Sequence, residues 1–193
     1  AHGIIDIGLI RLLPNITILN PSDPISCAKF ADIAFKNQSP TYVRLDKSQQ
    51  LVIYGENEKF DQGFYFFDRG NTICIISTGI MVHKALELSN YLNSISIKTS
   101  VIDLYKLKPI DKSNLIKTIS QFKFISILEE NSSIGGLGSI ISELLTDYNI
   151  AIPLKKFNLG DLHCFDYASR EWLHKKYKID NETIINTLKD WIK

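Results

Sequence analysis

One recurring pair constrains this chain more than any other feature: a short, almost wholly apolar run followed by a longer stretch with helical periodicity. Ile16 to Leu19 precedes a helical stretch running from Pro24 to about Asn37, and Pro40 then introduces a second strand, Thr41 to Leu45. The run TICIIS (72–77) precedes a helix carrying Val82, Ala85, Leu86 and Leu92. Further strands are expected at Lys98–Leu104, Phe122–Leu128 and Ala151–Phe157, separated by helices at Pro109–Ser120 and Gly135–Leu145. Two closing helices lie near 169–177 and 181–192. Strands without an alternating polar face must be covered on both sides, and helical crossovers of this length join parallel neighbours. The pattern therefore predicts an α/β fold whose mostly parallel open sheet carries helices on both faces.

Residues 3–13 place Ile5, Leu9, Leu12 and Leu13 on one apolar helical stripe, and Pro14 ends that helix by disfavouring helical geometry in the residue before it. Asp23 is the expected N-cap of the next helix, with Pro24 at its first position. Residues 46–63 are polar and turn-rich, and the strand–helix alternation restarts after them. The expected division is 1–47, a linker at 48–63, and a larger unit at 64–193.

A formal charge of +1 over 193 residues gives no electrostatic pull towards nucleic acid or an anionic membrane, so neither is an expected partner. No apolar run approaches the length of a membrane span, and no signal-type segment opens the chain. Cys27, Cys74 and Cys164 form no CxxC pair, which argues against a disulfide framework or a zinc site. Reduced thiols in a cytoplasmic protein are expected, with Cys27 and Cys74 in the core. The chain opens on Ala1 inside a motif, so either a trimmed chain or a natural short subunit is expected.

Few residues invite chemistry. The cluster GGLG (135–138) follows a strand and opens a helix, where backbone amides could hold a phosphate, but it lacks a third dinucleotide glycine and a P-loop lysine. A tight strand-to-helix turn is the competing reading. Glu129 and Glu130 lie at a strand's C-terminal end, where such sheets place ligands. Among the histidines, His83 and His174 read as surface residues. His163 beside Cys164 and Asp166 suggests a nucleophilic group, yet sequence neighbours on a loop point in different directions. No metal site is expected.

The segment HGIIDIGLIRLLPNITILNPSD (2–23) resembles the transketolase family, in which a histidine-bearing turn leads to a helix, an LRxxPN motif, a strand and a P-x-D turn. The likeness continues through SPTYVRLDK (39–47), STGIMVHKALE (77–87), VIDLYKLKPID (101–111), EENSSIGGLGSIISELL (129–145) and GDLHCFDYASREWLHKKYKID (160–180). These landmarks are collinear and span almost the whole chain.

The resemblance implies that 1–47 is the second half of a pyrimidine-binding domain and 64–193 the family's C-terminal domain. It implies an activity for the complete enzyme: transfer of a two-carbon ketol unit between sugar phosphates, using thiamine diphosphate and Mg2+. The glutamate that helps form the cofactor's reactive carbon and the GDG…N diphosphate motif are not in this sequence. No cofactor is therefore expected on this chain alone, which would need an N-terminal cofactor-binding section or a partner subunit, in a homodimer or a heteromer. Counting back from Pro14-Asn15, the family's substrate-contacting histidine falls on Ala1 and His2 takes the next place, making His2 the catalytic candidate. Lys47 matches a basic residue that contacts the acceptor's phosphate, and Arg44 a basic position of deoxyxylulose-phosphate-synthase-like members. Their parity along a strand differs, so a bend is needed for both to face one ligand. Deoxyxylulose phosphate synthase and the beta subunit of a 2-oxoacid dehydrogenase are competing relatives. A subunit-interaction or dimerisation module is the alternative of another class, and a nucleotide-binding regulatory domain using Gly135–Gly138 is a third.

Overall fold

The computed structural model describes residues 3–48 and 50–193. His2 lies outside the described residues.

The larger part is built on a five-stranded sheet. Its strands, in chain order, are β3 (Tyr65–Phe67), β4 (Ile73–Ser77), β5 (Thr99–Asp103), β7 (Phe124–Leu128) and β8 (Leu154–Phe157). They lie side by side as β3-β5-β4-β7-β8, all neighbours parallel except the antiparallel edge strand β3. Helices α3 (Met81–Ser94), α4 (Lys112–Ile119) and α5 (Leu137–Asp147) make the crossovers, and α6 (Arg170–Lys176) and α7 (Asn181–Trp191) close the chain. The mostly parallel α/β architecture is the one the apolar runs predict.

Strand alternation divides the core in two. Cys74 and Ile76 of β4, with Ile102, Ile125 and Ile127, face Leu115 and Ile119 of α4 and Leu137, Ile141 and Leu144 of α5. Ile73 and Ile75, with Val101 and Leu128, face Met81, Ala85, Leu88 and Leu92 of α3 and Ile184 and Leu188 of α7. Each fully buried Leu or Ile contributes about 1.5–3 kcal/mol, so both helical layers are held by the same strands.

The N-terminal part has α1 (Asp6–Arg11), β1 (Thr17–Leu19), α2 (Pro24–Lys36) and β2 (Thr41–Val43). Asp23 caps α2 as expected: its carboxylate accepts from Ser26 N at 2.7 Å, and the Ser26 hydroxyl accepts from Asp23 N at 3.0 Å. Strands β1 and β2 are parallel, and β6 (Lys106–Lys108) joins β1 on the other side, antiparallel. Leaving β5, the chain thus crosses directly into the smaller sheet, so the two sheets share one polypeptide turn. Strands β3 and β6 are not among those expected from the sequence.

Residues 50–63 form neither helix nor strand, yet Ile53, Tyr54 and Phe60 are packed. Ile53 N and Tyr54 N both donate to the Asp23 carboxylate, at 3.0 and 3.1 Å. Phe60 sits edge-on to Phe30, Tyr54 and Tyr105. The stripe of Ile5, Leu9, Leu12 and Leu13 faces solvent, while Ile7 is buried. The reason is a close approach on another side of α1: a Cβ on Gly135 would lie 2.8 Å from Gly8 Cα, so two glycines let the backbones touch. Leu12 and Leu13 also lie beyond the helix end.

Candidate functional site

In an open parallel sheet the ligand crevice lies beyond the strand ends where the connections diverge, here between the ends of β4 and β7. The N-terminal part fills that place. Asn20 Nδ2 donates to Thr78 Oγ1 at 3.1 Å, His83 Nε2 donates to Ser22 O at 2.7 Å, and Ser132 N donates to Ile4 O at 2.7 Å. Gly79, with φ +58°, admits Asn20 because a Cβ there would lie 2.6 Å from its amide oxygen.

The start of α5 is filled as well. Glu129, at the end of β7 and 1% exposed, accepts from Leu137 N at 2.7 Å and Gly138 N at 2.9 Å. A Cβ on Gly136 would overlap Glu129 Oε2. The glycine cluster therefore accommodates the protein's own carboxyl group where a phosphate would sit. Burial pushes that carboxyl up to about 7, more than the two amides and Lys156 pull it down. The nucleotide reading of Gly135–Gly138 loses its site on this observation.

What remains open is a cleft of about 770 Å3 between the end of β2 and the segment leading into α6. Arg44 and Lys47 both line it, because β2 ends at Val43 and the parity of a strand no longer applies beyond that point. Arg44 is already engaged: its Nε donates to Asp6 Oδ2 at 2.8 Å and its Nη2 to Gly3 O at 2.8 Å. Tyr42 OH donates to the same Asp6 oxygen at 2.9 Å. Burial, with the Asp6 carboxylate accepting from it, raises the Tyr42 hydroxyl above its ordinary value. Lys47 is exposed at the lip.

The opposite wall is a chain of charges centred on Arg170. Its Nη2 donates to Asp46 Oδ2 at 2.5 Å and to Glu130 Oε2 at 2.9 Å, its Nε to Glu130 Oε1 at 2.8 Å, and its Nη1 to Ser48 Oγ at 3.0 Å. Burial opposes ionisation of Asp46, but Arg170 and the Ser48 hydrogen bonds outweigh it and hold the carboxyl down to about 2. Glu130 is likewise lowered against its burial, by His174 and Arg170. A guanidinium fork is the side chain that can grip two carboxylates in fixed geometry.

His174 departs from its expected place. It is 6% exposed, with Nε2 2.6 Å from Glu130 Oε1 and Nδ1 2.6 Å from Lys84 Nζ. Its lysine-rich neighbourhood in sequence suggests a surface, but the α6 turn aims it inward while Lys175 and Lys176 face out. His83 is half-buried, on Ser22 O. His163 and Cys164 do diverge: the imidazole packs on Phe165, ring centroids 5.8 Å apart, while the thiol meets Tyr177, whose hydroxyl is pushed up to about 12 first by that contact. Cys74 is buried, whereas Cys27 is only half-buried, and all three thiols are free. Arg170 lies within the 160–180 landmark but is not singled out there, and only its meeting with Asp46 and Glu130, the former across more than a hundred residues of chain, reveals it.

Among the described residues no group of three His, Cys, Asp or Glu side chains could hold a metal ion, and Glu129 occupies the amides at the start of α5. Among the described residues, those at the start of α5 therefore do not fit a diphosphate, since the protein's own carboxyl group takes their amides. No described helix is long and apolar enough to cross a membrane.

Comparison with known proteins accounts for the arrangement. The profile described as transketolase, C-terminal domain, matches residues 67–184. One of the subunits of an apulose-4-phosphate transketolase from Actinobacillus succinogenes is 27% identical over 186 residues, covering 96% of this chain and 60% of that protein. A 1-deoxy-D-xylulose-5-phosphate synthase from Alkaliphilus oremlandii is 26% identical over 191 residues, covering 97% of this chain and 30% of the other. A solved structure described as a split gene transketolase, inactive beta4 tetramer, superposes with a TM-score of 0.89 at 29% identity, over 98% of this chain and 62% of that one. A transketolase from Campylobacter jejuni shares the fold alone, with a TM-score of 0.73 at 15% identity over 98% of this chain and 28% of that one. The chain thus spans less than two thirds of the length of these relatives. With its sheet order, its helices on both faces and the profile match over most of its length, this chain belongs to the transketolase C-terminal domain family.

Proposed function

We propose that this chain is the C-terminal part of a thiamine-diphosphate-dependent transketolase-like enzyme that moves a two-carbon ketol unit between sugar phosphates, and that it does not turn over substrate by itself. One observation carries the reading: the match to a split gene transketolase runs over 98% of the chain and through both sheets. The relative from Actinobacillus succinogenes is itself one subunit of its enzyme, which supports a partner polypeptide or section that supplies the diphosphate and metal site. When bound, the cofactor supplies a stabilised carbanion equivalent. Residues 1–47 would then complete the pyrimidine side, with 64–193 as the C-terminal domain and 48–63 joining them.

Lys47, exposed at the lip of the cleft, would hold the acceptor's phosphate as a point charge, and Arg170 holds the Asp46–Ser48 segment beside it. Arg44, paired with Asp6, orients the floor. A cytoplasmic location and pairing into a dimer or heteromer belong to the same proposal. The deoxyxylulose phosphate synthase reading is the second one, favoured by a relative 26% identical over 97% of this chain.

The test is titration calorimetry of the chain with thiamine diphosphate and Mg2+, followed by ketol-transfer assays with and without a partner polypeptide that carries the diphosphate motif. No binding alone and transfer only in the mixture is the expected result. Transfer by the chain unaided overturns the proposal. Pyruvate in place of a ketose donor separates the synthase reading.

A further inference from the structure

A second cleft, of about 540 Å3, lies on the far side of Arg170 and His174, walled by the first turn of α3 and the start of α7. Lys84 reaches it from α3. Its ammonium nitrogen is 2.6 Å from His174 Nδ1 and donates to Ile179 O at 3.0 Å, while His174 Nε2 is 2.6 Å from Glu130 Oε1. The chemistry of the three groups settles the proton positions. An ammonium has no lone pair, so Nδ1 must accept from it, and a carboxylate only accepts, so Nε2 carries the hydrogen. A neutral imidazole thus stands with its free lone pair on the lysine proton and its N–H on a carboxylate. That is the order nucleophile, base, orienting group, with a lysine as the nucleophile.

We infer that Lys84, His174 and Glu130 form a carbonyl-reactive amine site whose ligand is a small, uncharged aldehyde. His174 takes a proton from the Lys84 ammonium, and Glu130 stabilises the imidazolium. The free amine then bonds to the aldehyde carbon as the oxygen takes that proton from His174; His174 next removes a proton from the newly bonded nitrogen and passes it to the hydroxyl, which departs as water while the nitrogen lone pair forms the imine bond. Ammonium plus aldehyde gives protonated imine plus water, with no oxidant or reductant. Arg170, bidentate on Glu130, fixes the orienting carboxylate and is itself occupied by Asp46. Burial lowers the Lys84 ammonium below its ordinary value, against the carboxylates of Asp180, Glu130, Glu87 and Glu171. Glu87, Glu171 and Asp180 also line the cleft, so its rim is acidic and repels a phosphorylated aldehyde. His83 is the remaining titratable group facing it, and it is held on Ser22 O. His174 and Arg170 form a wall shared with the cleft of Lys47, which Glu130 also lines, but Lys84 lines this second cleft and not that one, and the inference stands whether or not the chain takes part in ketol transfer.

The wild-type chain is incubated at pH 7 with glycolaldehyde and sodium cyanoborohydride, which traps the imine as a stable secondary amine. Peptide mass spectrometry then gives the labelling rate of each lysine, with exposed Lys36, Lys117 and Lys123 as internal references. Because burial lowers the Lys84 ammonium and His174 stands ready to take its proton, Lys84 is expected to label faster than all three references. Labelling no faster than theirs overturns the inference. His174→Gln is expected to bring Lys84 down to the reference rate while Lys36, Lys117 and Lys123 keep theirs; an unchanged Lys84 rate in folded protein removes His174 as the base. Should that variant not fold, the wild-type comparison decides by itself. Glyceraldehyde is expected to label Lys84 faster than glyceraldehyde 3-phosphate, and the reverse order refutes the uncharged-ligand assignment.

Discussion

Replacing Glu129 by Gln isolates the cost of a buried carboxyl at the start of α5. In the folded chain this group titrates at about 7, against an ordinary value of 4.5. A raised acid pKa means that the folded state binds the proton more tightly than the unfolded state. The stability it contributes is complete below the unfolded value and is lost as pH rises towards 7. At about 1.4 kcal/mol per pKa unit, the shift amounts to about 3 kcal/mol in all, of which about 2.5 kcal/mol falls between pH 5 and pH 8. Glutamine cannot ionise, so this slope vanishes in the variant. It introduces another cost instead: with one oxygen replaced by NH2, either Leu137 N–H or Gly138 N–H faces a donor, which costs about 1–3 kcal/mol at every pH.

Urea denaturation of both proteins at pH 5, 6.5 and 8 reads the difference directly. Asp103, also buried and raised to about 7, titrates in both chains and cancels. The variant is expected to be the less stable protein at pH 5 and to close or reverse that gap by pH 8. Parallel pH profiles would refute the reasoning, since they would mean that the α5 amides fully offset the burial of the charge.

Gly136→Ala keeps a permitted backbone, φ −78°, but drives a methyl into Glu129 Oε2, so losing both amide contacts should cost about 2–4 kcal/mol in the same urea experiment. Arg170→Met leaves Asp46 and Glu130 without their fork, and a loss of about 1–3 kcal/mol at pH 7 is expected, reduced from a fully buried pair because Arg170 is about a third exposed. Asp46 is lowered to about 2 in the fold, so its share is present above its unfolded pKa and disappears as pH falls towards 2; in the variant that acid-side loss should shrink. Lys47→Ala should leave thermal unfolding unchanged and, in the assembled enzyme, raise KM for a phosphorylated acceptor about tenfold or more, as loss of one charge-assisted contact requires; an unchanged KM removes Lys47 from the acceptor site.

The strands that could be found in the sequence were those whose information is local. Ile73–Ser77, Thr99–Asp103 and Phe124–Leu128 are buried on both faces because helices cover both faces, and in the first and last of them that demand is written in nearly consecutive apolar residues. The α2 cap at Asp23 is equally local, since it needs only a carboxylate three residues from an amide. By contrast, β6 is three residues long and exists because Leu107 is buried beside Ile18 from the other part of the chain. The exposed stripe of α1 shows the opposite failure, in which a good apolar period loses to a glycine contact that a periodicity argument does not weigh.

The site divides along the same line. The family resemblance marked Arg44 and Lys47, which lie just past the end of β2, and residue order marked GGLG as a turn opening a helix. Only the tertiary structure brings Arg170 to Asp46, 124 positions apart, and His174 to Lys84, 90 positions apart. Only the fold, too, turns Glu129 into the anion that the glycine turn holds. Patterning along a chain records which face must be dry, because burial of apolar surface is non-directional and repeats with the backbone. Pairing of charges is directional and short-ranged, so its partners are decided where the chain returns on itself.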